Sequence, residues 1–307
     1  MFNPSTHSLV LRACREDMSS KNDFKWPTSG VVECPDWDPV PECGKGLHGW
    51  LYGNGDGSAS EYWSFNDKWL VVSVETSSII HLDGKVKFQK GEVLFCGDRK
   101  SATDFLMKHE PRSKDQPVIG AFVTVYNKQT ATTGDYGIST SGDYGTSTSG
   151  DYGNSSSGDY STSTSGYKGT SISGDYGTST SGNFGTSTSG DNSTSTSGNF
   201  GTSTSSHSGT STSSHSSTST SGNFGTSTSG NYSTSTSGYK GTSISGDYGT
   251  SISGVGGKCI AGVNGMISIY YSENNRKKLK VGYIGEDGLE PDTFYKLDEN
   301  NNFVKCE

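Results

Sequence analysis

Cys34, Cys43 and His48 form the densest grouping of soft ligands in this 307-residue chain, so the first chemistry to consider is a metal site. Structural zinc sites are built on tight Cys pairs, and Cys34-x8-Cys43 lacks that loop, so packed thiols are the expectation and a ligand set the alternative. Asp98-Arg99 beside Cys96 could hold an anion, although a local ion pair ahead of a helix is the commoner arrangement. Gly53-Asn-Gly-Asp-Gly57 is Gly-rich without a Lys-Ser/Thr ending, and reads as a loop rather than a phosphate cradle. No CxxC pair occurs among the six cysteines, and Met1 to Arg15 has neither the charged start nor the apolar stretch of a signal peptide. Reduced thiols in a soluble cytosolic protein are therefore expected.

A second set of residues is defined by spacing alone. Tyr136, Tyr144, Tyr152, Tyr160, Tyr176, Phe184, Phe200, Phe224, Tyr232 and Tyr248 recur at multiples of eight, interrupted by Lys168, Asn192, Ser208, Ser216 and Lys240. Regularly spaced aromatic surface either covers the corners of a structure or marks an interface. The elements that carry these rings follow from the repeat itself. From Gly134 to Ser253 the chain runs as fifteen octads of the type G-D/N-Y/F-G/S-T-S-T-S without insertion or deletion. A flexible linker has no reason to keep register, so a stacked repeat is indicated. Positions one to four are turn chemistry, and positions five to eight alternate as a short strand. Two octads per coil give a sixteen-residue parallel β-solenoid; three octads in a triangular coil is the alternative.

The ends of the array set its facing. Extending the frame places Val123, Val125, Ala131, Cys259, Ala261, Ile267 and Ile269 at positions six and eight, so the Ser residues at those positions point inward and the Thr of positions five and seven outward. Inward hydroxyls must be paired, and stacking about 4.8 Å apart lets each donate along the ladder or to backbone. Nineteen octads from Val118 to Ile269 make a rod of roughly 45 Å. Two octads per coil would split the aromatic residues into two lines, one along each edge. An outward lattice of Thr could order water if its pairs were unbroken; Asn154, Ser156, Ile172, Ile244 and Ile252 interrupt them, and no freezing activity is expected on that count.

Composition agrees with this division. Only 28% of residues are hydrophobic, too few for one conventional core of this length, and the shortfall lies in the octads. The 24 Lys and Arg are scattered and outnumbered by 32 Asp and Glu, which removes the electrostatic case for nucleic acid. No apolar run approaches a membrane span. Strand-like runs at 8–12, 69–74 and 92–96 and a helix at 101–108 capped by Ser101 make the N-terminal part α+β; strands at 266–271, 278–284 and 293–297 follow the array.

Two resemblances add to this. Leu9-Val-Leu-Arg-Ala-Cys14, Pro35-Asp-Trp-Asp38, Cys43-Gly-Lys-Gly-Leu-His-Gly49, Lys85-Val-Lys-Phe88 and Cys96-Gly-Asp-Arg99 resemble an uncharacterised domain family of bacterial and phage proteins, whose members often continue into octad repeats. The resemblance implies a phage or prophage origin and no established activity. The octads resemble those of bacterial ice-nucleation proteins, through Tyr-Gly followed by Thr and Ser at fixed spacing. Arg12 with Gly46-Leu-His-Gly49 is also similar to the opening strands of ADP-ribosyltransferase-like folds, which implies Arg12 and His48 as residues holding a nicotinamide dinucleotide. No partner Glu stands out, with Glu61, Glu75 and Glu92 available, and a His stabilising its own turn is the commoner case.

The expectation is thus a mainly β protein: an N-terminal α+β domain (1–117), a Ser/Thr β-solenoid (118–269) and a C-terminal β cap (270–307). Its function would be non-catalytic, as a structural or interaction rod with no cofactor. It would self-associate through the aromatic edges or bind a protein or small-molecule partner, without nucleic acid or membrane, in the bacterial cytoplasm or on a virion. The alternatives are an ice-binding surface and an N-terminal ADP-ribosyltransferase-like enzyme.

Overall fold

A computed structural model describes residues 2–114 and 116–306. Two compact units divide the chain, one made of the residues up to Val123 with octad segments 132–139 and 149–153, the other of 124–131, 140–148 and everything from Asn154 onward.

In the first unit, β1 (His7–Cys14), β2 (Gly30–Glu33), β3 (Leu47–Leu51), β4 (Lys68–Glu75), β5 (Ile80–Leu82), β6 (Lys85–Phe88) and β7 (Lys90–Gly97) form one antiparallel sheet in the order β2-β7-β4-β1-β3-β6-β5. Strand β1 lies inside it and is apolar on both faces. Leu9, Leu11 and Ala13 pack with Trp50, Trp69, Val71 and the helix α1 (Arg99–His109), while Val10 and Cys14 pack on the other side with Trp26, Cys34, Leu70, Val72 and Phe88. Arg12 shares the second face by strand alternation. Helix α1 starts two residues before the expected position. Its N-cap is Asp98, whose carboxylate accepts from Ser101 N at 2.8 Å, so Asp98 is a cap rather than an ion-pair partner of Arg99.

The solenoid has two octads per coil. In the second unit the strand at 162–165 pairs in parallel with 178–181, 178–181 with 194–197 and 194–197 with 210–213, each residue facing the one sixteen ahead. The intervening strands, 170–173, 186–189, 202–205 and 218–221, build a second sheet in the same way. The three-octad coil is excluded by that register. Ser at positions six and eight is buried throughout, for example Ser187 at 0% and Ser189 at 2% exposure, and the Thr beside them face out.

The hydroxyl pairing differs from expectation. At position six, Ser187, Ser195, Ser203 and Ser219 each donate across the thin interior to the carbonyl of the residue eight back, at 2.6–2.7 Å. At position eight, Ser181, Ser189, Ser197 and Ser205 make no hydrogen bond to any protein group. The pairing at position six is partial, since Ser171, Ser179, Ser211 and Ser227 also lack a partner, and at position eight Ser245 is reached by the Ser251 hydroxyl at 3.1 Å.

The corners are held by position two. Asp159 N, Asp175 N and Asp191 N donate to the Oδ1 of Asp143, Asp159 and Asp175 one coil earlier, at 2.7–3.0 Å, and Asn183 serves Asn199 identically. Position three then takes left-handed φ, between 51° and 58° from Tyr136 to Tyr248.

At its C-terminal end the array stops on Ile267 and Ile269, which cluster with Cys259, Ala261, Ile284, Leu289 and Tyr295. Strand 266–273 turns back through an antiparallel hairpin with 276–283, and Cys259 faces Tyr295 in an antiparallel pair. Strand 303–305, which the sequence did not signal, pairs with 295–297. Both parallel sheets thus meet antiparallel strands that occupy their terminal edge.

Candidate functional site

Assigning residues to coils separates the two Thr faces. On one sheet Asn154, Ser156, Ile172 and Ile252 fall among the outward positions. On the other, the strand Thr130–Thr132 and the six coils after it carry an intact outward Thr-x-Thr, the six being Thr146/Thr148, Thr162/Thr164, Thr178/Thr180, Thr194/Thr196, Thr210/Thr212 and Thr226/Thr228. The first interruption on that sheet is Ile244, one coil further on. Strand geometry spaces these side chains about 4.8 Å between coils and about 6.7 Å within each strand, a two-dimensional lattice of methyl and hydroxyl groups on rigid backbone.

The aromatic residues split into the two expected lines. Tyr144, Tyr160 and Tyr176 stack face to face on one edge, with centroids 5.1 and 4.8 Å apart. Phe184 stacks on Phe200 at 4.9 Å and Tyr232 on Tyr248 at 5.0 Å on the other. Phe224 belongs to the first edge and not to the Phe184–Phe200 pair. Position two supplies rings that the spacing missed: Tyr167 meets Phe184, and His215 lies between Phe200 and Tyr232 at 6.3 and 5.4 Å. One edge therefore carries rings in six successive coils, from Tyr167 to Tyr248. His207 and Tyr239 likewise flank Phe224 on the other edge, where Asn192 leaves a gap. Exposure of Tyr144, Tyr152, Tyr160, Tyr176, Phe184, Phe200, Phe224, Tyr232 and Tyr248 lies between 40% and 59%. Tyr136 departs from the pattern, since its ring stacks on Trp63 at 3.7 Å as well as on Tyr152 at 4.9 Å. A left-handed backbone at a Tyr or Phe costs on the order of 1–2 kcal/mol that Gly or Asn would avoid, so these rings are kept against local preference.

In the first unit, Arg12, His48, Cys34, Cys43 and Glu61 line one cavity of about 700 Å³. Gly49 permits this: a Cβ there would sit 2.6 Å from Leu11 O, so only glycine lets β3 lie close on β1 beside Arg12. Lys87, 1% exposed, donates to the carbonyls of Val40, Glu42 and Gly44 and fixes the loop that forms one wall. The three sulfur and imidazole candidates have separate partners: Cys34 donates to Asp36 Oδ1 at 3.0 Å, Lys85 Nζ lies 3.2 Å from Cys43 Sγ, and Gly44 N donates to His48 Nε2 at 3.5 Å. No three His, Cys, Asp or Glu side chains among the described residues are grouped to hold a metal ion. Burial, and then the charges of Lys85, Arg12 and Lys87, lower the His48 pKa to about 4, leaving a neutral imidazole at pH 7. Glu75 ends β4 and Glu92 lies on β7, and neither lines the cavity.

Residues 8–106 match the family described as Domain of unknown function (DUF7666). Among curated proteins, the ice nucleation protein InaU of Pantoea ananas is 35% identical over 103 residues, which is 33% of this chain and 10% of that protein. An ice nucleation protein of Pseudomonas fluorescens is 37% identical over 113 residues (35% and 9%), and one of Pseudomonas syringae 39% identical over 101 residues (32% and 9%). The chain spans about a tenth of the length of these relatives. No solved structure matches it. The protein is a β-solenoid repeat protein whose residues 8–106 are similar to the DUF7666 family and about a third of whose length is similar to ice nucleation proteins.

Proposed function

We propose that the protein is a non-catalytic scaffold whose solenoid orders water into an ice-like layer on its unbroken Thr face. The observation that carries this reading is the run of six coils from Thr146 to Thr228 in which every outward pair is Thr, in register and on rigid parallel backbone. Methyl groups confine water between the hydroxyls, and the hydroxyls anchor it at a repeat close to the oxygen spacings of hexagonal ice. The names of the relatives support the same direction. Substituting Lys at Thr178, Thr194 and Thr210 should abolish uptake of the full-length protein into a slowly growing ice hemisphere. The same change at Thr186, Thr202 and Thr218, within the shorter run of four intact coils on the other sheet, should cost less uptake. Exclusion of the unaltered protein from ice, or equal loss from both faces, defeats the reading.

A second reading is favoured by the six-coil line of rings from Tyr167 to Tyr248: two rods pair along that edge. Rings already about half buried each gain roughly half of the 1.5–3 kcal/mol that covering a fully exposed ring gives, about 1 kcal/mol, and the line holds six of them.

A further inference from the structure

We propose that the cavity of the first unit binds a phosphorylated organic molecule of about nucleotide size, its phosphate held by the Arg12 guanidinium. The argument starts from Arg12, which lies between two aromatic rings, 5.6 Å from Trp26 and 5.5 Å from Tyr62. Its Nε is sealed from solvent without a hydrogen-bond partner, and no carboxylate among the described residues pairs with it. An unpaired guanidinium in such a place lowers stability, and its planar fork is suited to a bidentate oxyanion.

The surroundings point the same way. Five cationic side chains, Arg12, Arg15, Lys21, Lys45 and Lys85, line the cavity, against the acids Asp36 and Glu61. Asp36 and Glu61 are exposed, and so are Arg15, Lys21 and Lys45; Arg12 and Lys85 are the two less exposed charges of the lining, and both are cationic. That excess suits a dianionic phosphate better than a single carboxylate. A volume of about 700 Å³ exceeds what an inorganic anion needs, and the Trp26, Trp50, Phe24 and Tyr62 walls suit an organic body. His48 lies on the same cavity, and after burial, the largest cause of its lowered pKa, the charges of Lys85, Arg12 and Lys87 also oppose its protonation.

Full-length protein is titrated with inorganic phosphate, AMP and adenosine, following tryptophan fluorescence. AMP should bind, tighter than inorganic phosphate and more weakly as salt rises; adenosine should not. Arg12→Met should weaken AMP by more than about tenfold while leaving the thermal midpoint unchanged or higher. On the unaltered protein, saturating AMP should raise the His48 pKa by about one unit, read from its imidazole NMR signals. Failure of AMP to bind at millimolar concentration, binding of adenosine as tight as AMP, or undiminished binding by a folded Arg12→Met protein overturns the proposal. If that variant does not fold, an unmoved His48 pKa at saturating AMP overturns it instead, and equal affinities for phosphate and AMP overturn its organic half.

Discussion

Two four-fold Ser→Ala variants of identical composition should shift stability in opposite directions. One replaces Ser181, Ser189, Ser197 and Ser205 at position eight, all at most 4% exposed and without a hydrogen bond to protein. The other replaces Ser187, Ser195, Ser203 and Ser219 at position six, all 0% exposed and each donating to a carbonyl at 2.6–2.7 Å. Removing an unpaired buried hydroxyl recovers its desolvation penalty, about 1 kcal/mol at the low end, whereas removing a made hydrogen bond costs about 1 kcal/mol. The weaker strand preference of Ala subtracts a few tenths of a kcal/mol per site from both. Four sites give roughly +2 to +4 kcal/mol for the first variant and −4 to −6 for the second, if stacked neighbours add without strong coupling. Ala261, 0% exposed at position eight, is a natural instance of the first substitution. Urea unfolding followed by far-UV circular dichroism, with the midpoint read on the solenoid transition, measures both. Equal destabilisation by the two variants would refute the assignment of paired and unpaired hydroxyls.

Ser187→Leu should overpack the interior and destabilise by about 1–3 kcal/mol, while Thr186→Leu on the outer face should be nearly neutral, as checked by the same denaturation. Replacing Phe184 and Phe200 by Ser should give a folded monomer in sedimentation, with the loss centred on their edge and Phe224→Ser acting separately; self-association along that edge should depend little on salt, because its position-two residues from Tyr167 to Asp247 include one carboxylate, Asp247. His48 contributes a pH dependence whose sign is fixed by its lowered folded pKa. Between about 6.5 and about 4 the unfolded chain takes up a proton that the folded domain refuses, so that contribution is complete above 6.5 and is lost as pH falls toward 4. His48→Ala should flatten the acid limb of a midpoint-against-pH profile; an unchanged limb would contradict the shift.

The coil length, the strand positions and the inward facing of Ser were legible because period-two alternation joins apolar residues such as Val123 and Ile267 at the same octad positions. The aromatic lines were legible only in part: His215 and Tyr167 sit at position two, and they fill the line because a side chain one residue earlier on the same corner reaches the same edge. Reading Asn154, Ser156, Ile172, Ile244 and Ile252 as one set of interruptions hid the intact face, since which sheet a residue occupies depends on octad parity. The α1 cap went to Asp98 because a carboxylate three residues ahead reaches Ser101 N, leaving Ser101 inside the first turn. The cavity around Arg12 gathers residues from 12–26, 34–50, 59–62 and 85, and no local pattern brings such separated segments together.

Octad parity also constrains how such an array can change length. Adding or deleting one octad would move every later strand to the opposite sheet, joining Thr pairs of the intact face to the interrupted one and carrying the rings beyond that point to the other edge. Each Asp or Asn at position two would also meet the N–H of a different corner partner. Gain or loss of two octads keeps every strand on its sheet and every ring in its line. The unit of duplication compatible with an intact face is therefore sixteen residues, twice the period that the sequence displays.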